Sequence, residues 1–106
     1  MIIVRHISAP LEDFSKVRDA WLEWRDAHPD QGWRVYNSID GDQQIVAVER
    51  LFADDDLEGP AFHMFGAMQA RIDWWMSQPG FQAWWGKWQA VQPMRWARRE
   101  LWRLNE

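Results

Sequence analysis

Three histidines, His6, His28 and His63, are the side chains of this 106-residue chain that ordinarily titrate nearest neutrality, so each is a candidate proton carrier or metal ligand. His6 stands in the apolar run IIVRHIS and shares a strand face with Ile2 and Val4. Turned into a pocket, it can act as a base toward a ligand; turned to the sheet edge, it is a hydrogen-bonded structural residue. His63 follows Phe62 in the opening turn of a long helical pattern, where the helix dipole favours a neutral ring and a pocket mouth is within reach. His28 precedes Pro29 at a helix end, between Asp26 and Asp30, a spacing that suits a cap better than a metal site.

Arg34 and Tyr36 share one face of a short β-rich run, where arginine can orient an anionic group and tyrosine can donate a hydrogen bond; the alternative places both outside any pocket. Ten tryptophans supply the largest apolar resource, and five of them fall within residues 72–91, IDWWMSQPGFQAWWGKWQAV. Each buried indole is worth at most about 4–6 kcal/mol from its area. Neighbours on a helix differ by about 100°, so the pairs Trp74-Trp75 and Trp84-Trp85 cannot both face one core centre. One member of each pair is free to line a pocket or meet a partner. Trp74 and Trp85 are therefore the candidates for a ligand-binding wall.

Composition narrows the classes. A net charge of −4 with interspersed signs argues against nucleic acid, and the basic cluster Arg95, Arg98, Arg99, Arg103 reads as rim positions of a strand. There is no cysteine, hence no disulfide or thiol chemistry. The acidic run Asp54, Asp55, Asp56, Glu58 lacks calcium-loop spacing and reads as a solvated loop, so no metal site is expected. The first residues form neither a signal peptide nor a membrane span, which makes a cytoplasmic protein with no membrane partner the default. No nucleophile triad, phosphate loop or dinucleotide fingerprint is present.

These residues need elements to position them. Residues 2–8 are β-branched and predict a first strand. Leu11, Phe14, Val17, Trp21 and Trp24 follow at helical spacing, with Glu12 and Asp13 in the opening turn, and HPDQG at 28–32 ends that helix. Two strands, 33–39 and 44–52, flank Asp-Gly-Asp and predict an antiparallel hairpin. A helical region from about 61 to 92 is broken at Ser77, Pro79 and Gly80, which predicts two helices meeting at a corner, with Ser77 as N-cap of the second. The alternating run RWARRELWRL, 95–104, closes the order as a last strand. The length fits one domain, 1–106.

Strand, helix, strand, strand, helix, strand is the ferredoxin-like βαββαβ order, an α+β fold whose four-stranded antiparallel sheet carries its helices on one face. With apolar residues on both sides of several strands, the open face calls for a cover, which a second copy supplies by pairing two sheets. The chain here resembles the dimeric α/β-barrel superfamily that includes the antibiotic-biosynthesis-type and the haem-degrading monooxygenases. The likeness lies in this order and in DWWMSQPGFQAWW, 73–85. The resemblance implies a homodimer and a pocket between each sheet and its own helices for a small hydrophobic or aromatic ligand. Haem-degrading members use an asparagine on the first strand, a tryptophan in the helical region and a later histidine on the iron. The matching positions are His6, Trp74 and one at or beside Trp85, which cannot ligate a metal. The resemblance therefore implies a protein without cofactor, either a cofactor-free monooxygenase of an aromatic or quinol-like substrate, with His6 or His63 as base, or a non-catalytic binding or protein-interaction domain.

Overall fold

The computed structural model describes residues 1–11, 14–41, 44–53, 68–90 and 94–105. In chain order these form β1 (Ile2–Pro10), α1 (Phe14–Ala27), a 3-10 turn (Pro29–Gln31), β2 (Arg34–Asn37), β3 (Val46–Phe52), α2 (Met68–Ser77), α3 (Phe81–Ala90) and β4 (Met94–Arg103). The strands make one sheet in the order β2-β3-β1-β4, with every neighbouring pair antiparallel. This α+β arrangement is compatible with the ferredoxin-like order. No helix among the described residues is long and apolar enough to cross a membrane.

Strand alternation separates two faces of the sheet. The register sets His6 opposite Val48 and Arg99, and Ser8 opposite Val46 and Ala97, so these side chains share the inner face. Against that face α1 turns Val17, Ala20, Trp21 and Trp24, the i, i+3, i+4, i+7 stripe of an amphipathic helix. Val4, Val46, Val48, Phe52, Trp33 and the α3 residues Phe81, Trp84 and Trp88 complete the core. β1 runs two residues further than its β-branched stretch, to Pro10. A bulge between Ala9 and Pro10 accommodates the residue that has no N–H to give the ladder. Beyond the β2–β3 ladder, backbone pairing among the described residues extends toward the turn as far as Ser38 and Ile45, joined by a 2.8 Å hydrogen bond.

Ser77 plays the opposite role to the one its position suggests. It is the last residue of α2, and its Oγ donates to the Trp74 carbonyl at 2.6 Å, closing the first helix rather than capping the second. Gly80, at φ 76°, makes the turn between the helices. Glu12, Asp13, the acidic run Asp54–Glu58 and His63 lie outside the described residues.

The outer face carries a charged network. Glu49, nearly buried, accepts from Arg5 Nε at 3.0 Å and from the Tyr36 hydroxyl at 2.9 Å, with Arg34 3.9 Å away. On β4, Glu100 accepts from Trp102 Nε1 at 3.0 Å and Arg98 Nε at 2.7 Å, while the Arg5 guanidinium lies 5.6 Å over the Trp102 ring. The indole hydrogen bond first, and then Arg98, hold the Glu100 carboxyl below its ordinary value of 4.5. A depressed carboxyl stabilises the fold above its unfolded pKa, and that contribution disappears as pH falls through the lower folded value. Trp102→Phe is expected to raise the Glu100 midpoint toward the ordinary value, as read from its side-chain carboxyl resonance. An unmoved midpoint would mean that the indole does not hold the carboxylate.

Candidate functional site

Between the inner face of β1 and β4 and the three helices lies a cavity of about 580 Å³. Its floor is built by strand parity: His6 and Ser8 project inward from β1, and Ala97 from β4. Its walls come from Trp21 of α1, Ile72, Trp75 and Met76 of α2, and Phe81, Trp84, Trp85 and Trp88 of α3. The deep side is made of buried Trp21, Phe81, Trp84 and Trp88, whereas Ile72, Met76 and Trp85 are exposed and form the mouth. This division follows from the helix period: Trp84 is 6% exposed and its neighbour Trp85 is 40% exposed.

Tryptophan contacts hold the walls in place. Trp84 packs 5.0 Å from both Trp21 and Trp24, stacks on Trp88 at 5.5 Å, and donates from Nε1 to the Ala20 carbonyl at 2.7 Å. Trp75 stands 5.8 Å from His6 and 6.4 Å from Trp84, with its ring nearly parallel to the latter. Lys87 of α3 meets Glu23 of α1 at the exposed edge of the same helix pair. The corner between α2 and α3 is held from α1 by His28. Its Nδ1 lies 2.9 Å from the Trp24 carbonyl and its Nε2 2.8 Å from the Pro79 carbonyl, and its ring stacks on Trp24 at 3.9 Å. Both oxygens accept, so both contacts are hydrogen bonds when the ring carries two protons, and a neutral ring serves one carbonyl at a time. His28 is thus a cap of α1 that also fastens the helix corner. A second fastening runs from Trp33 Nε1 to Gln31 and from Gln31 to Gln78, each at 2.7 Å.

Of the six residues singled out from the sequence, His6 and Trp85 come together in this cavity. The His6 ring stacks on Trp21 at 5.7 Å, and its Nε2 is buried. Trp74 is half-buried beside the cavity rather than in its lining: it packs edge-on to Trp75 at 5.0 Å, with the Arg50 guanidinium 5.7 Å over its ring. Arg34 and Tyr36 lie across the sheet from the cavity, because Arg34 pairs with Glu49 and Tyr36 with Ala47 on the outer face. Their partner there is the Glu49 carboxylate. His63 is outside the described residues.

Sequence reasoning passed over Ser8, although its parity with His6 marks it: two residues further along one strand returns to the same face. It also chose Trp74 over Trp75, since the helix period separates the two without saying which one meets the cavity. Among the described residues the lining is otherwise apolar. Arg98 belongs to it, but its Nε is hydrogen-bonded to Glu100 and its guanidinium lies 4.7 Å over Trp96, on the outer face. No group of three or more histidine, aspartate or glutamate side chains among the described residues could hold a metal ion. Among the described residues the site is therefore an aromatic cleft with two polar side chains, His6 and Ser8, on its floor. No protein-family model matches the chain, and no curated protein sequence matches it.

Proposed function

We propose that this protein binds a small planar aromatic molecule in the cleft between β1 and the tryptophan-bearing helices. The observation that carries this reading is the cavity itself: about 580 Å³, walled by five indoles, with a few polar groups at its floor. Such a volume and lining suit a small-molecule ligand. A domain whose tryptophans served only to meet a partner chain would close this space by packing.

The enzymatic form of the reading is a cofactor-free, monooxygenase-like reaction. His6 takes a proton from a phenolic or quinol-like ring, the resulting carbanion reduces O2, one oxygen atom stays on the substrate, and the other leaves as water with the two hydrogens the substrate loses. The His6 ring in the cavity lining supports it.

The same reading makes the protein a homodimer of the dimeric α/β-barrel kind, with the outer sheet face covered by a second copy. Half-exposed Trp102 and Tyr36 on that face, beside partly buried Ile3, Ile7 and Leu51, support it.

The test is intrinsic fluorescence during titration with quinols, flavins, haem and aromatic polyketides, alongside sedimentation equilibrium. One ligand class is expected to quench saturably. Trp85→Ala, at an exposed position, is expected to keep the fold and weaken that ligand about fivefold or more, on the scale of one lost aromatic contact. Oxygen uptake that His6→Ala abolishes while binding persists would establish catalysis. A folded protein that no ligand quenches would refute the cleft as a binding site.

A further inference from the structure

Among the described residues, the side chain of Ser8 is a polar group on the cleft floor that no other side chain or backbone group engages. Ser8 is 6% exposed, lines the cavity, and its side chain makes no hydrogen bond with the described residues. Its register partners Val46 and Ala97 have no polar side chains to offer. On a floor facing indoles, that hydroxyl offers a ligand one donor and acceptor against β1. The charges tell the same story from the other side. Among the described residues the lining contains no carboxylate and no lysine, and its guanidinium, that of Arg98, is engaged with Glu100 and Trp96 on the opposite face. A ligand charge entering among the indoles would shed its water and meet no counterion among the described residues.

Building on the reading of the cleft as a small-molecule site, we infer that Ser8 is its specificity-determining contact: the ligand is an uncharged, planar aromatic molecule whose hydroxyl or carbonyl oxygen lies against β1 and pairs with the Ser8 hydroxyl. A serine suits either chemistry, because it donates to a carbonyl and accepts from a phenol. Position favours it as well. Successive inward residues of a strand lie about 6.6–6.8 Å apart, so an oxygen held at Ser8 leaves the body of a fused-ring ligand alongside His6 and beneath the indoles. His6 then meets the ring system and Ser8 reads its substituent.

The experiment follows the indole N–H resonances of the isotopically labelled protein during titration with three probes of one shape: naphthalene, 2-naphthol and naphthalene-2-sulfonate. In the native chain 2-naphthol is expected to bind, with the sulfonate at least about tenfold weaker. Ser8→Ala is expected to weaken 2-naphthol about fivefold, the loss of one neutral hydrogen bond, and to leave naphthalene within about twofold of its native affinity. The dispersion of the same spectra reports that the variant is folded. Equal loss of 2-naphthol and naphthalene, no loss of either, or a sulfonate that binds as well as 2-naphthol would overturn the role of Ser8 while leaving the cleft a binding site. No shift with any probe in the folded native protein would overturn both.

Discussion

Trp84→Ala is expected to lower the unfolding free energy by about 4 kcal/mol, whereas Trp85→Ala, one residue away, should lower it by less than about 1 kcal/mol. Trp84 is buried at the meeting of α1 and α3, in ring contact with Trp21, Trp24, Trp75 and Trp88, and its truncation removes the indole donor to the Ala20 carbonyl as well as the ring. The missing volume adjoins the existing cleft and cannot be refilled by a small collapse, which places the cost toward the upper part of the large-to-small range. Trp85 stacks on Phe81 at 5.8 Å but keeps its outer side in solvent. Urea denaturation of the two variants measures the difference. Against a total stability on the order of 5–15 kcal/mol, the first variant would lose about a quarter or more of it and the second would stay close to native. Similar midpoints for the two would contradict the helix rotation that defines the cleft.

His28→Leu is expected to cost about 2–3 kcal/mol although leucine is an apolar residue that can occupy the buried site. The reason is the pair of carbonyls it would abandon. The Trp24 oxygen belongs to the last turn of α1 and the Pro79 oxygen to the corner between α2 and α3, and the imidazole lies within 2.9 Å of both. Leaving a buried acceptor without its donor costs more than an average hydrogen bond contributes, and the stack on Trp24 is lost too. The effect should be local as well as global. Amide exchange at Phe81, whose N–H bonds to the Gln78 carbonyl across the corner, should accelerate in the variant beyond what the overall loss of stability explains. A leucine variant as stable as the native chain, with Phe81 equally protected, would mean that the corner is held by its aromatic packing alone.

Much of this architecture is legible from residue order. The periods of two and of three to four separate strands from helices, and Pro79-Gly80 interrupts the long helical pattern where the structure turns it. Adjacent tryptophans on a helix must diverge, and Trp84 and Trp85 do. Local rules were less decisive where one residue can serve two ends. A serine at a helix junction can accept from the helix that follows or donate to the helix that precedes; Ser77 donates, since the Trp74 carbonyl lies within 2.6 Å of its hydroxyl. An Asp-Gly dipeptide marks a hairpin without fixing how far the ladder runs, and among the described residues it reaches Ser38 and Ile45.

Sequence by itself determined which residues share a face: His6 with Val4 and Ser8, Arg34 with Tyr36, Trp84 with Trp88. Backbone periodicity is a local property, so it is written in the chain. Which of two faces meets the helices is not local. It was decided by the sheet order β2-β3-β1-β4, which sets Arg34 and Tyr36 against Glu49 on the outer side and places His6 and Ser8 beneath the tryptophans. The cleft belongs to that second kind of information, because its walls come from three helices and its floor from two strands that are distant in sequence and become neighbours only when the chain packs.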